Sequence, residues 1–151
     1  MKHIRKAGPD DLDLIYDLSL EALGRSTYKD IPHDEFHAKK IFGGLILNQF
    51  AWVTESGNGL LLGKISPIWF NPKVMVASDV IFYVRSGEKM RAGVNLLKKF
   101  IEWGKDNADE VAMSISFGHN IDKTEQFYEH FGFKRIGGDY LLRGNDHVKS
   151  S

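Results

Sequence analysis

The segment VIFYVRSGEKMRAGVNLLKKF, residues 80–100, restricts the fold more than any other part of the chain. It opens on β-branched and aromatic residues, turns at Gly87 among cations, and continues with apolar residues at helical spacing. A strand that enters a helix through so short a turn calls for another strand after the helix. Such a β-α-β unit favours a parallel pair. The run EVAMSISF, 110–117, supplies the second strand.

Upstream the pattern is antiparallel. Strand-like runs at 50–55, 60–70 and 74–84 are joined by SGNG and NPK, both good hairpin turns. Residues 2–7 alternate as a short first strand. Pro9 and three aspartates begin a helix over 8–26, with Leu12, Ile15, Leu18 and Ala22 at helical spacing. A loop over 27–32 leads to a second helix, 33–49, which Gly43 and Gly44 weaken in its middle. Further helices are expected at 89–108 and 123–133, and a last strand at 135–143. The order β-α-α-β-β-β-α-β-α-β describes an α/β fold, a mixed, mainly antiparallel sheet flanked by helices on both faces. Residues 1–144 form one domain in this reading, and 145–151 a polar tail.

With 20 basic and 20 acidic residues, the chain has no global field to draw it onto nucleic acid or an anionic membrane. No apolar run approaches the roughly 20 residues of a membrane span, and MKHIRKA lacks the apolar core of a signal peptide. Cysteine is absent. That excludes thiolate nucleophiles, zinc–thiolate sites and disulfides, and it suits a reducing cytoplasm.

The glycine–basic turn is a candidate anion site. N–H groups at a helix start lack partners within the helix, and the helix dipole adds positive potential there. Gly87 permits the sharp turn after Val84. Ala92 and Gly93 keep the first helical turn free of bulk, and Arg85, Lys89 and Arg91 are placed to neutralise a diphosphate. A plain strand-to-helix turn with solvated cations is the competing reading. Neither a P-loop nor a G-x-G-x-x-G fingerprint is present.

A second motif lies at NIDKTEQFYEHFGFKRIGG, residues 120–138. Phe127 and Phe131 stand four apart, Tyr128 sits beside them, and Gly132 ends the helix before Phe133. Together with EKMRAG and the element order, this resembles the GCN5-related N-acetyltransferase superfamily. There, an N-x-x-x-x-x-x-[FL]-Y-x-x-x-G-F segment lies downstream of a [QR]-x-x-G-x-[GA] pyrophosphate loop. The resemblance runs from HIRKAGPDDLDLIYDL to GGDYLLR, and the short form and basic loop are similar to those of compact bacteriophage acetyltransferases. EKMRAG departs from the family loop, with Gly93 retained and Lys89 and Arg91 where small residues are common.

The resemblance implies an acetyl-CoA-dependent N-acetyltransferase acting by direct attack of an amine. It places the pantetheine arm along the backbone of Phe82, Tyr83 and Val84. The pyrophosphate falls on the turn from Arg85 through Gly87, Lys89, Met90, Arg91 and Ala92 to Gly93, and Asn120 steadies the arm. Tyr128 matches the family tyrosine near the coenzyme sulfur and is the general-acid candidate; a tyrosine that only packs is the alternative. Asp79 is the base candidate, read as sharing a strand face with Ile81 and Tyr83, against an ordinary Asp near a strand entry. Tyr28, His33 and Glu35 lie where the family lines its acceptor site. The acceptor the resemblance implies is a primary amine, of a small molecule or a protein, with small amine, peptide N-terminus, lysine side chain and modified nucleotide not distinguished. Many relatives are homodimers. The runner-up is a non-catalytic module of the same fold whose altered loop no longer holds pyrophosphate.

His33 and His37 stand four apart, but Asp34 replaces the glutamate of a zincin helix and no third ligand is set by spacing, so no metal is assigned. Trp52, Trp69, Phe70 and Phe82 invite comparison with base-stacking platforms. Strand aromatics more often pack, and the neutral balance argues against nucleic acid as the main partner.

Overall fold

Leu60, Leu61 and Leu62 are all fully buried, which requires a strand covered on both faces. In the computed structural model, which describes residues 1–115 and 121–144, this run is the middle of the sheet. The elements are β1 (Ile4–Lys6), a 3-10 turn (Pro9–Asp11), α1 (Leu12–Gly24), α2 (Glu35–Asn48) and β2 (Phe50–Thr54). They continue with β3 (Gly59–Ile68), β4 (Asn71–Val84), α3 (Met90–Asn107), β5 (Glu110–Ala112) and α4 (Ile121–His130). Spatial order follows chain order, β1-β2-β3-β4-β5. Every pair is antiparallel except β4 with β5, which is parallel as the helix between them demands.

Two cores lie on opposite faces. Leu60 and Leu62 point to a cluster with Ile15 and Leu18 of α1 and Phe42 and Leu45 of α2. Leu61 points the other way, to Leu96 and Phe100 of α3 with Phe50 of β2. Each of these fully buried side chains contributes roughly 1.5–3 kcal/mol relative to exposure. The α3 side is sealed by close approaches to glycine. A Cβ on Gly63 would stand 2.3 Å from the Phe100 ring, and one on Gly104 2.6 Å from Val111.

One residue changes the logic of β4. Gly63 pairs with Asp79 and Leu62 with Ile81, so Val80 is an extra residue, a β-bulge. The bulge breaks the alternation. Ile81 and Tyr83 face α1 and α2, whereas Asp79, opposite Gly63, shares the α3 side with Ala77. The expectation that Asp79, Ile81 and Tyr83 share one face is thereby corrected.

Other departures have local causes. Residues 133–144 form no strand, and Ile136, Tyr140 and Leu142 are almost wholly exposed. Gly137 and Gly138 offer no side chains to pack, so burial does not offset the cost of ordering a strand there. β5 is shorter than its sequence run, and residues 116–117 of that run lie outside the described residues. The first helix begins at Leu12 because Pro9–Asp11 make a 3-10 turn, in which Asp11 accepts from the Gly8 N–H at 2.8 Å and pairs with Arg5 at 2.7 Å. Gly43 and Gly44 do not interrupt α2.

Candidate active site

The β4–β5 ladder has three residue pairs and ends at Ser78 with Ala112. Beyond it the two segments part, and Asp79 stands at the parting. Its Oδ1 accepts the Ser114 backbone N–H at 2.9 Å, and the Ser114 hydroxyl donates to Oδ1 and Oδ2 at 3.2 and 3.4 Å. The bulge at Val80 aims this carboxylate into the split, away from the α1–α2 core.

Burial pushes the Asp79 carboxyl up to about 6, and the Ser114 hydrogen bonds only partly oppose it. At neutral pH the group is mostly ionised yet able to take a proton. Tyr128, from α4, reaches the same serine from the other side. Its hydroxyl donates to the Ser114 carbonyl at 3.2 Å, and its ring lies 6.3 Å from Phe127 and 5.8 Å from Phe133. Burial first, and the Asp79 charge second, hold the phenol well above its usual range, so it keeps its proton. Phe127 meets Phe82 of β4 at 6.3 Å, which docks α4 against the split. A proton acceptor and a proton donor thus share one residue's backbone and hydroxyl. A pair of this kind can accept and donate a proton within one site.

The β4–α3 turn has a different character from its sequence. Gly87 takes φ +93°, the left-handed conformation that suits glycine. Arg85 is engaged within the fold. Its Nε donates to Glu21 at 2.9 and 3.2 Å, its Nη1 to the Asn58 side chain at 3.0 Å, and its backbone N–H to the Asn58 carbonyl at 2.8 Å. The Tyr83 hydroxyl also donates to Glu21, at 2.8 Å. That bond first, then Arg85, holds the Glu21 carboxyl below the usual range. Lys89 and Arg91 remain exposed at the start of α3, which has no side-chain cap from Lys89. Ala92 is buried and Gly93 lies against Val84, so the first helical turn is slim as expected, although Met90 projects into solvent. Glu88 enters this turn as an acid. Its carboxylate accepts the Lys89 N–H at 2.8 Å and the Ser56 hydroxyl.

Sequence reasoning therefore brought Asp79 and Tyr128 together and missed Ser114, Glu21, Asn58 and Glu88. Ser114 acts largely through its backbone, which leaves no composition signal. Glu88 was visible as an acid inside a cationic turn. Asn120 lies outside the described residues. Tyr28 sits in the segment between α1 and α2, where Arg143 donates to the Thr27 carbonyl, and Glu35 pairs with Lys39 at 3.5 Å. Asp34 caps α2 by accepting the His37 N–H at 3.0 Å, which leaves His33 outside the helix and off the face of His37. Trp52 lies under the Lys99 ammonium, Phe82 packs inside, and Trp69 with Phe70 form an exposed pair at the β3–β4 tip. Trp52 and Phe82 both pack on the α3-side cluster, and Trp69 and Phe70 are the exposed rings.

No protein-family model matches the chain, and no curated protein matches it in sequence. Solved structures do. An acetyltransferase from Trypanosoma brucei superposes with a TM-score of 0.66 at 20% identity, covering 93% of this chain and 97% of its own. An aminoglycoside acetyltransferase from an uncultured soil metagenomic sample gives 0.65 at 14%, covering 94% and 97%. A transcriptional regulator from Bacillus halodurans gives 0.70 at 17%, covering 93% and 98%. At these identities the likeness is one of fold.

Proposed function

On the fold of the GCN5-related N-acetyltransferases, which this chain has, we propose an acetyl-CoA-dependent N-acetyltransferase that serves a primary amine. The observation that carries it is the placing of Asp79 and Tyr128 on either side of Ser114, where β4 and β5 part. Among the described residues β4 is paired only with β3 at Phe82, Tyr83 and Val84, which suits the pantetheine amides. The turn from Gly87 to Gly93, with Lys89 and Arg91, suits the diphosphate. The acceptor amine loses its proton to Asp79 through water and attacks the thioester carbonyl. The C–S bond breaks, and the departing thiolate takes the Tyr128 proton. No thiol is available to carry the acyl group in between, in keeping with direct transfer.

Tyr28, His33 and Glu35 are assigned to the acceptor side, and the chain is read as one domain over 1–144. No helix among the described residues is long and apolar enough to cross a membrane. The proposed compartment is the cytoplasm, with a homodimer as the proposed assembly and the acceptor as the principal partner. Calorimetric titration with acetyl-CoA, with ADP and NAD as controls, tests the reading. Selective binding that Arg91→Glu weakens supports it; no binding at millimolar ligand refutes it. One observation favours the runner-up, a binding module without catalysis. It is the Glu88 carboxylate seated on the Lys89 N–H.

A further inference from the structure

A carboxylate and a diphosphate seek the same things at a helix start, which are N–H groups without helical partners and the positive end of the dipole. In this chain a carboxylate already holds part of that position. Glu88 accepts the Lys89 backbone N–H at 2.8 Å, and the Ser56 hydroxyl donates to its other oxygen. The Ser56 bond first, and then the Lys89 N–H, hold the acid below its usual range, so it is ionised at neutral pH. Ser56 is no loose partner. It belongs to the β2–β3 turn, where its hydroxyl meets that of Thr54 at 3.2 Å, and Asn58 of the same turn is bound to Arg85. The carboxylate is therefore held from both sides, by its own helix and by a neighbouring hairpin. Arg85 is occupied by Glu21, which leaves Lys89 and Arg91 as the exposed cations of the turn.

Resting on the reading above, we infer that Glu88 is an internal competitor for the diphosphate and sets the affinity of the turn, with Ser56 as its latch. A diphosphate must either displace the carboxylate from the Lys89 N–H or accept a second negative charge beside it. Both lower affinity. Coenzyme A is then taken up only when binding along β4 adds to what the turn provides, and small polyphosphates are disfavoured.

The test is titration of coenzyme A and, separately, inorganic pyrophosphate into the wild-type chain, Glu88→Gln, Ser56→Ala and Glu55→Gln. Glu55 lines the same cleft, with His3, Ser56, Glu88 and Lys89, and serves as the control for a general field effect. Glu88→Gln is expected to tighten both ligands about tenfold, Ser56→Ala about threefold, and Glu55→Gln less than twofold. Thermal melts of each variant report any fraying of α3. Unchanged or weaker binding in Glu88→Gln overturns the inference, because a carboxylate that merely caps the helix gives that sign. An equal gain in Glu55→Gln also overturns it. If coenzyme A binds wild type and Glu88→Gln alike, the inference fails while the acetyltransferase reading stands. If coenzyme A binds neither protein while pyrophosphate binds and tightens in Glu88→Gln, Glu88 is the competitor and the coenzyme A reading fails. If neither ligand binds any variant, both fail.

Discussion

The Asp79 carboxylate accepts the Ser114 backbone N–H at 2.9 Å, across the point where β4 and β5 separate. Its pKa of about 6 lies above the ordinary value of 3.8 because burial disfavours the charge. A base must be ionised to act, so turnover is expected to rise with pH through an inflection near 6 and to level above it. Asp79→Asn should remove that inflection along with most of the activity. A pH–rate profile for both proteins checks this; the same inflection in Asp79→Asn assigns it to another group.

The same shift bears on stability, with the opposite sign from a salt-bridged acid. The folded pKa is raised, so the contribution of Asp79 is most favourable below about pH 4 and is lost as pH rises through about 6. At pH 7 the ionised group is a burden. Asp79→Asn, which keeps an acceptor for the Ser114 N–H, should stabilise the chain by about 1–3 kcal/mol at pH 7 and by little at pH 4. Denaturant titrations at the two pH values decide. A loss of stability at pH 7 means that Ser114 outweighs desolvation.

Tyr128 donates to the Ser114 carbonyl at 3.2 Å and keeps its proton at neutral pH. Tyr128→Phe removes one hydrogen bond and leaves the ring among Phe127 and Phe133, so stability should fall by only about 0.5–1.5 kcal/mol. Turnover should drop by roughly 10²–10⁴-fold while coenzyme affinity stays within about twofold. Steady-state kinetics with a parallel titration separates the two. Normal turnover removes Tyr128 from the acid role.

Glu21 reaches Arg85 at 2.9 Å and accepts from Tyr83 at 2.8 Å, tying α1 to the exit of β4. The pair is partly exposed, so its loss in Glu21→Gln should cost no more than about 1 kcal/mol of stability. Its effect on ligand binding should be larger in proportion. The turn after Val84 loses its anchor, and coenzyme A affinity is expected to fall about three- to tenfold. Titration beside a melting curve reports both. Unchanged affinity shows that the Asn58 contacts suffice.

Gly63 has no room for a methyl group, since its Cβ would stand 2.3 Å from Phe100. Gly63→Ala should destabilise the chain by about 1–3 kcal/mol, and Phe100→Leu in the same chain should restore part of that loss. Additive losses in the double variant would show that α3 does not rest on this contact.

Much of this architecture is legible in the residues. The strand that holds the β3 leucines, the SGNG turn and the period change at Gly87 each answer to a local rule and lie close to where it places them, whereas the second turn falls at Trp69 and Phe70 and the NPK expected there begins β4. Asp79 and Tyr128 are legible through the family resemblance. What escapes is non-local or carried by the main chain. Glu21 meets Arg85 from 64 residues away. Ser114 binds Asp79 through an N–H that every residue but proline has. The strand expected at 135–143 obeys a local pattern, yet among the described residues nothing packs on Ile136 or Tyr140 to hold it.

The extra residue at Val80 governs what kinds of change β4 can absorb. Exchanging one side chain for another alters a single contact. Removing one residue there would straighten the strand and turn half of its side chains over, sending Asp79 toward α1 or Ile81 out of its core. In an alignment of descendants, this stretch would vary in letters but hardly in length. A one-codon deletion would do more harm than almost any missense change nearby, because it is the count of residues, more than their identity, that aims the carboxylate.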